Sequence, residues 1–196
     1  MTEQELVERC REGDREAQRE LYDRTSGPVY RLLLKMTANP DDAFDLAQST
    51  YLKAFTRINQ FDGRSTVATW LYRVAVNEAL QFLRSAGRTR ARLREIAPEQ
   101  CVESNIEHSS IRLDMNDALA TLPPNDRAML LLRYQEGLDY RAIAEVVGCA
   151  SGTVASRLNR ARGNLREILR KSYGSREEKG HNDHPIDVKQ VSPETG

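Results

Sequence analysis

Residues 138–170 read LDYRAIAEVVGCASGTVASRLNRARGNLREILR, two amphipathic segments hinged at a glycine. Gly137 can end a preceding helix, and Asp139 can accept a backbone amide as the cap of the next. Ile143, Ala144 and Val147 then recur at helical spacing and are expected to face inward. Gly148 supplies the left-handed residue that closes this helix. Ser151 is read as the cap of a second helix carrying Val154, Leu158, Ala161 and Leu165 inward. Helix, short glycine turn, helix is the arrangement that lays its second helix in the DNA major groove.

The outward face of that second helix has suitable chemistry. Thr153, Ala155, Ser156, Asn159 and Arg160 fall at early positions able to reach base edges. Arg157 and Arg162 suit phosphates, which position a protein without reading sequence. A solvated helix would also collect basic residues near its C-terminal end, where they complement the dipole. Here only Glu167 interrupts the arginine series, and the turn upstream is well specified, so DNA binding is the stronger reading.

Working upstream, Leu113, Leu119 and Leu122 end at Pro123–Pro124, and Met129, Leu130, Leu132 and Tyr134 form the next helical stripe. From Arg94 to Ser110 periodicity is lost, and the segment reads as a flexible linker. Before it, Ser65 or Thr66 caps an amphipathic helix bearing Trp70, Leu71, Val74, Ala75, Phe82 and Leu83, expected to end near Gly87. The loop 59–65 contains Asp62–Gly63. Asn39–Pro40–Asp41–Asp42 is a helix start with cap, first-turn proline and first-turn acids. In that helix Phe44, Ala47, Tyr51, Phe55 and Ile58 make the apparent apolar stripe. The run from Thr2 to Met36 divides into two helical pieces near Gly27 and Pro28. The expected fold is all-α: two small helical domains, residues 1–92 and 111–171, joined by a flexible linker, 93–110. A polar tail, 172–196, is expected to be disordered.

The 196 residues carry no net charge, but the charge is unevenly spread. Acids crowd the first twenty residues, while arginines gather at 84–94 and 157–170, forming two basic patches suited to nucleic acid. Cys10, Cys101 and Cys149 are scattered, which argues against a disulfide framework or closed zinc site and suits a reducing cytoplasm. His108, His181 and His184 fall in the linker and tail. No phosphate loop or nucleophile elbow is found. The expectation is therefore a non-enzyme with no catalytic residues, no metal and no cofactor. A signal segment and a bilayer-spanning stretch are likewise not read from the sequence, so no membrane insertion is expected.

Three linked stretches carry a family resemblance. Residues 61–88, FDGRSTVATWLYRVAVNEALQFLRSAGR, resemble the promoter-melting segment of the extracytoplasmic-function (ECF) group of bacterial RNA polymerase sigma factors. Residues 41–61, DDAFDLAQSTYLKAFTRINQF, are similar to that group's polymerase-clamp helix. Residues 122–162 are similar to its C-terminal DNA-binding region. The resemblance implies a sigma factor whose first domain captures the melted minus-ten strand, with a base extruded into a pocket. By motif match that pocket involves Lys53, Phe61 and Asn77, with Arg73 tracking the backbone. The helix-turn-helix would read the minus-thirty-five duplex. Core polymerase would be met through the clamp helices of its largest subunit, against Asp45, Gln48, Ser49 and Leu52. Promoter DNA and, as for many members, an anti-sigma factor are the other implied partners.

Two positions depart from the family pattern. Ser49 stands where an acidic residue usually follows the glutamine, and Ala155 stands where arginine is common. The second implies an altered minus-thirty-five sequence, with Asn159 a candidate for reading adenine. The alternative from another class is a conventional helix-turn-helix regulator that binds duplex DNA without joining polymerase. It accounts for the chain from Ile111 onward but gives residues 61–88 no role.

Overall fold

The computed structural model describes residues 1–96 and 115–174. Every regular element among them is helical. In chain order they are α1 (Glu3–Arg11), α2 (Arg15–Thr37), α3 (Pro40–Thr56), a 3-10 turn (Ile58–Gln60), α4 (Val67–Ile96), α5 (Met115–Thr121), α6 (Pro124–Tyr134), α7 (Tyr140–Val147) and α8 (Ser151–Gly174). Helices α1 to α4 pack together around Leu21, Leu32, Leu33, Met36, Leu71 and Val76, all almost wholly buried. Burying side chains of this size is worth about 1.5–3 kcal/mol each. Helices α5 to α8 bury Met129, Leu132, Ile143, Val146, Val154 and Leu158, which join the same continuous core.

Local signals set most helix starts as expected. Asn39 Oδ1 accepts from the amides of Asp41 and Asp42 at 2.8 and 3.1 Å, with Pro40 in the first turn. Thr66 caps α4 by accepting from the Thr69 amide, and Glu3 accepts from the Val67 amide, tying α1 to the same helix end. Asp139 caps α7, and Gly148 closes it at φ +68°. Helix α8 begins at Ser151 itself, one residue earlier than a Ser151 cap would require.

Four expectations are corrected. The N-terminal break falls not at Gly27–Pro28 but at Gly13, whose φ of +81° lets the chain turn after Arg11. Pro28 lies inside the 23-residue α2. A proline interior costs about 3 kcal/mol or more, and burial of Leu21 on one side and Val29, Leu32, Leu33 and Met36 on the other offsets it. The buried face of α3 is Ala43, Leu46, Thr50, Tyr51 and Ala54, so Phe44 points outward at 56% exposure. On α7 the buried valine is Val146, while Val147 is only partly covered. Finally, α4 does not stop near Gly87 but continues to Ile96. One glycine costs only about 1 kcal/mol, and the arginine- and leucine-rich residues after it favour helix. The first four residues of the expected linker are thus helical, as are Ser172 to Gly174 of the expected tail. The rest of both segments, with Ile111, Cys101 and the three histidines, lies outside the described residues.

The two helical groups touch. Helix α4 meets α7, and α2 meets α5 and α6. Tyr72 donates its hydroxyl proton to Glu136, and Ser65 Oγ donates to Glu145 at 2.9 Å. Burial and the Glu136 carboxylate push the Tyr72 phenol well above its ordinary value. Arg127, 5% exposed, donates across the boundary to the carbonyl of Met36.

Candidate nucleic-acid interface

The first face is a cleft where α3 and the 3-10 turn lie against α4. Its lining includes Lys53 and Arg57 from α3 and its end, Gln60 from the turn, and Trp70, Arg73, Asn77 and Glu78 from α4, around a volume of about 130 Å³. Residues 70, 73, 74, 77 and 78 follow helical spacing, which is why one helix can present all of them to one groove. Lys53 Nζ donates to Glu78 Oε2 at 2.5 Å. The Asn77 side chain is exposed at the rim. Arg73 Nη1 lies 3.8 Å from Glu145 of α7, so this arginine is shared between the cleft and the second helical group.

Lys53, Arg73 and Asn77 are therefore brought together, and Phe61 is not in their lining. Phe61 is 6% exposed and packs against Trp70 with ring centroids 5.9 Å apart and the planes inclined at 59°. Its carbonyl accepts from Arg11 of α1. Phe61 thus supports the loop 59–65 and the back of the cleft wall. Two charged members of the cleft, Arg57 and Glu78, carry no signal in the sequence, and Trp70 and Val74, expected as core, also line it. The approach of α3 to α4 brings Arg57 into one cleft with Asn77 and sets Lys53 against Glu78, the residue after Asn77.

The second face belongs to α8. Val154, Leu158 and Ala161 are buried, which turns Ser156, Arg157, Asn159, Arg160 and Arg162 to the surface. Thr153 and Ala155 are half-buried at the start of the helix. Ser156 Oγ donates back to the Thr153 carbonyl at 2.9 Å. Arg160 extends toward Asp126 of α6, at 3.7 Å, and so is partly committed within the protein. The α6–α7 turn is fixed by Arg133, which donates to the Leu138 carbonyl and lies over the Tyr140 ring at 5.3 Å.

A third face is the outer side of α3. Asp45, Gln48 and Leu52 are exposed and Ser49 is half-buried. Leu52 is 71% exposed, and Phe44, one turn before Gln48, is 56% exposed. The sequence reading left Phe44 out because it counted it as core. Phe44 and Leu52 are thus two large apolar side chains on the exposed side of α3, on the same helix as the exposed acids Asp41 and Asp45. Among the described residues no helix is long and apolar enough to cross a membrane. No group of three or more histidine, cysteine or acidic residues there could hold a metal ion.

Comparison with known proteins agrees with this layout. The family model of sigma-70 region 2 matches residues 21–89, and that of sigma-70 region 4 matches residues 112–165. The ECF RNA polymerase sigma-E factor of Haemophilus influenzae is 35% identical over 175 residues, covering 83% of this chain and 92% of the relative. The RNA polymerase sigma-H factor of Pseudomonas aeruginosa is 32% identical over 174 residues, covering 82% and 90%. Among solved structures, a sigma factor of Bartonella quintana in complex with an anti-sigma factor is 27% identical. It covers 78% of this chain and 96% of its own, with a TM-score of 0.58. CnrH in complex with the cytosolic domain of CnrY, at 21% identity and a TM-score of 0.63, shares the fold. Region 2 and region 4 in their family order, on the helices that carry the cleft and the exposed α8, make this chain a member of the ECF sigma factors of bacterial RNA polymerase.

Proposed function

We propose that the α3–α4 cleft captures one base of the melted minus-ten strand while the exposed face of α8 reads the minus-thirty-five duplex. The observation that carries this is the convergence of Lys53, Arg73 and Asn77 on one small cleft. Extruding a base costs a few kcal/mol of stacking and pairing, which the pocket must return through contacts to the base. Asn77 has a donor and an acceptor for a base edge, and Arg73 and Lys53 can meet the backbone. The protein works beside core polymerase in the cytoplasm and supplies recognition, the chemistry belonging to polymerase. The domain division at 1–92 and 111–171 serves this by giving each element its own reader. Linking two weak readers raises the effective concentration of the second once the first is bound.

Phe44, Asp45, Gln48 and Leu52 form the surface offered to the polymerase clamp helices, with Ser49 at its edge. An anti-sigma factor would act by covering these faces. The conventional-regulator alternative leaves the region 2 match without a role.

The test separates phosphate contacts from base contacts. Arg157→Ala and Arg162→Ala are each expected to weaken duplex binding about equally for all sequences. Each should reduce the slope of log affinity against log salt by about 1. Asn159→Ala should instead relax preference at one base pair and leave that slope unchanged. Titrations of polymerase holoenzyme on promoter DNA at several salt concentrations check this. An unchanged slope in both arginine variants would remove the α8 face from the DNA.

A further inference from the structure

The segment 60–70 meets the α3–α4 cleft at both of its ends, where Gln60 and Trp70 line it. Residues 61–66 between them are a non-helical loop. Inside the loop the Arg64 amide donates to Asp62 Oδ1 at 3.1 Å, and Gly63 turns at φ +72°. Glycine adopts that angle without strain but does not hold it. A loop left free must be ordered when a ligand binds, and the lost entropy weakens binding. Helix α1 supplies a constraint at each end. Near its C-terminus, Arg11 donates Nη2 to the Phe61 carbonyl and Nη1 to Glu8 Oε1 at 2.6 Å. At its first residue, Glu3 accepts from the Val67 amide at 3.0 Å.

These contacts grip the loop where the 3-10 turn has just ended and where α4 begins. Glu3 and Arg11 stand about 12 Å apart along their helix, so α1 spaces the loop ends as a rigid bar. Between the grips, Gln4 on the helix and Asp62 and Gly63 on the loop line an open cavity. The loop is therefore held at its ends and not by packing along its length. Arg11 Nε is buried with no hydrogen-bond partner among the described residues, a cost that an arginine turned to water would not carry. Neither grip is needed to seat α1, because Leu6, Val7 and Cys10 bury it in the core and the Thr2–Glu5 capping box starts it. Nor do Glu3 and Arg11 fall within residues 21–89, matched as region 2. Phe61 packs against Trp70 at the cleft wall, so a shift of its backbone reaches the cleft. Resting on the minus-ten reading above, we propose that Arg11 and Glu3 are positioning residues through which α1 braces the loop 61–66 and holds the cleft in the shape that receives the melted strand.

The test uses holoenzyme assembled from core polymerase and the full chain, as wild type, Arg11→Ala, Arg11→Lys or Glu3→Ala. Two DNA probes come from a promoter at which the chain directs a start. One is a fork junction carrying the single-stranded minus-ten segment, and the other is the same duplex cut back before it. Arg11→Ala should bind the fork junction about tenfold more weakly, the scale of one lost charge-assisted hydrogen bond. Its affinity for the cut-back duplex should be unchanged. Arg11→Lys keeps a donor for the Phe61 carbonyl without the fork that also reaches Glu8, and should recover part of the loss. Glu3 is exposed, so Glu3→Ala carries the test even where Arg11→Ala does not fold, with the same selective loss in weaker form. Amide exchange in the free chain separates a brace from general loosening. Exchange should quicken at Phe61 and Arg64 in Arg11→Ala and at Val67 in Glu3→Ala, while Leu71 and Val76 of α4 keep wild-type rates. Wild-type affinity for the fork junction in both alanine variants, or a loss matched by equally faster exchange at Leu71 and Val76, would overturn the brace and leave minus-ten capture intact. A wild-type holoenzyme that gains no affinity from the single-stranded segment would remove minus-ten capture and the brace together.

Discussion

Replacing Arg127 with alanine is expected to lower stability by about 3 kcal/mol or more, the scale of a broken buried polar network. The guanidinium is held by three carbonyls, of Met36, Ala120 and Leu122. These sit at the C-terminal ends of α2 and α5, where unsatisfied carbonyls and the helix dipole favour a cation. Burial lowers the pKa of the group, as it must for a charge drawn out of water. Removing the side chain leaves the carbonyls buried without a donor and loosens the contact between the two helical groups. For a chain of this size 1 kcal/mol shifts the melting temperature by about 2–4 °C, so a fall of roughly 6–12 °C is expected in a thermal melt. Lysine should recover little, because an ammonium does not reproduce the planar fork that reaches separate acceptors. A melting temperature within about 2 °C of wild type would show that these hydrogen bonds contribute little.

Promoter engagement is expected to pull α7 away from α4 by tens of ångströms. Helices in contact have axes about 8–10 Å apart. Since α4 touches α7 and α7 touches α8, the cleft and the reading face of α8 are separated by roughly two such steps. The minus-ten and minus-thirty-five elements lie about 25 base pairs apart, or about 85 Å along B-form DNA at 3.4 Å per pair. The proposed readers cannot serve both elements in the closed arrangement, and Arg73 cannot turn fully to DNA while it faces Glu145. Labels at the exposed positions Gln81 and Asn164, on a background without reactive cysteines, report the distance. It should be short in the free chain and lengthen severalfold in the holoenzyme–promoter complex. A short distance persisting in a complex that makes transcript would contradict the division of labour between the two domains.

Much of the fold was legible because its signals are local. Asn39–Pro40, Asp139 and Gly148 each satisfy or redirect backbone groups within a few residues, so the sequence alone carries them. What was misread depended on partners distant in sequence. The choice between the two possible faces of α3 is made by α2 and α4, and Phe44 fell on the outer side for that reason. Pro28 reads as a break because its local cost is large, while the burial that offsets it comes from tertiary contacts. In the candidate site, Lys53, Arg73 and Asn77 were identified by family motif. Glu78 was passed over because a glutamate on a helix reads as ordinary surface until Lys53, 25 residues earlier, is seen against it. Arg127 is the same case in stronger form, since nothing local marks an arginine as buried.

The central claim is that this chain makes core polymerase select promoters, and runoff transcription tests it most directly. Purified bacterial core polymerase, with a pool of promoter fragments from the source genome, is assayed with and without the chain. Transcripts from discrete new start sites are predicted only when the chain is present. Asn77→Ala should lose those starts while still binding polymerase. No binding to core polymerase and no new start sites, from chain that melts cooperatively and binds duplex DNA, would contradict the account.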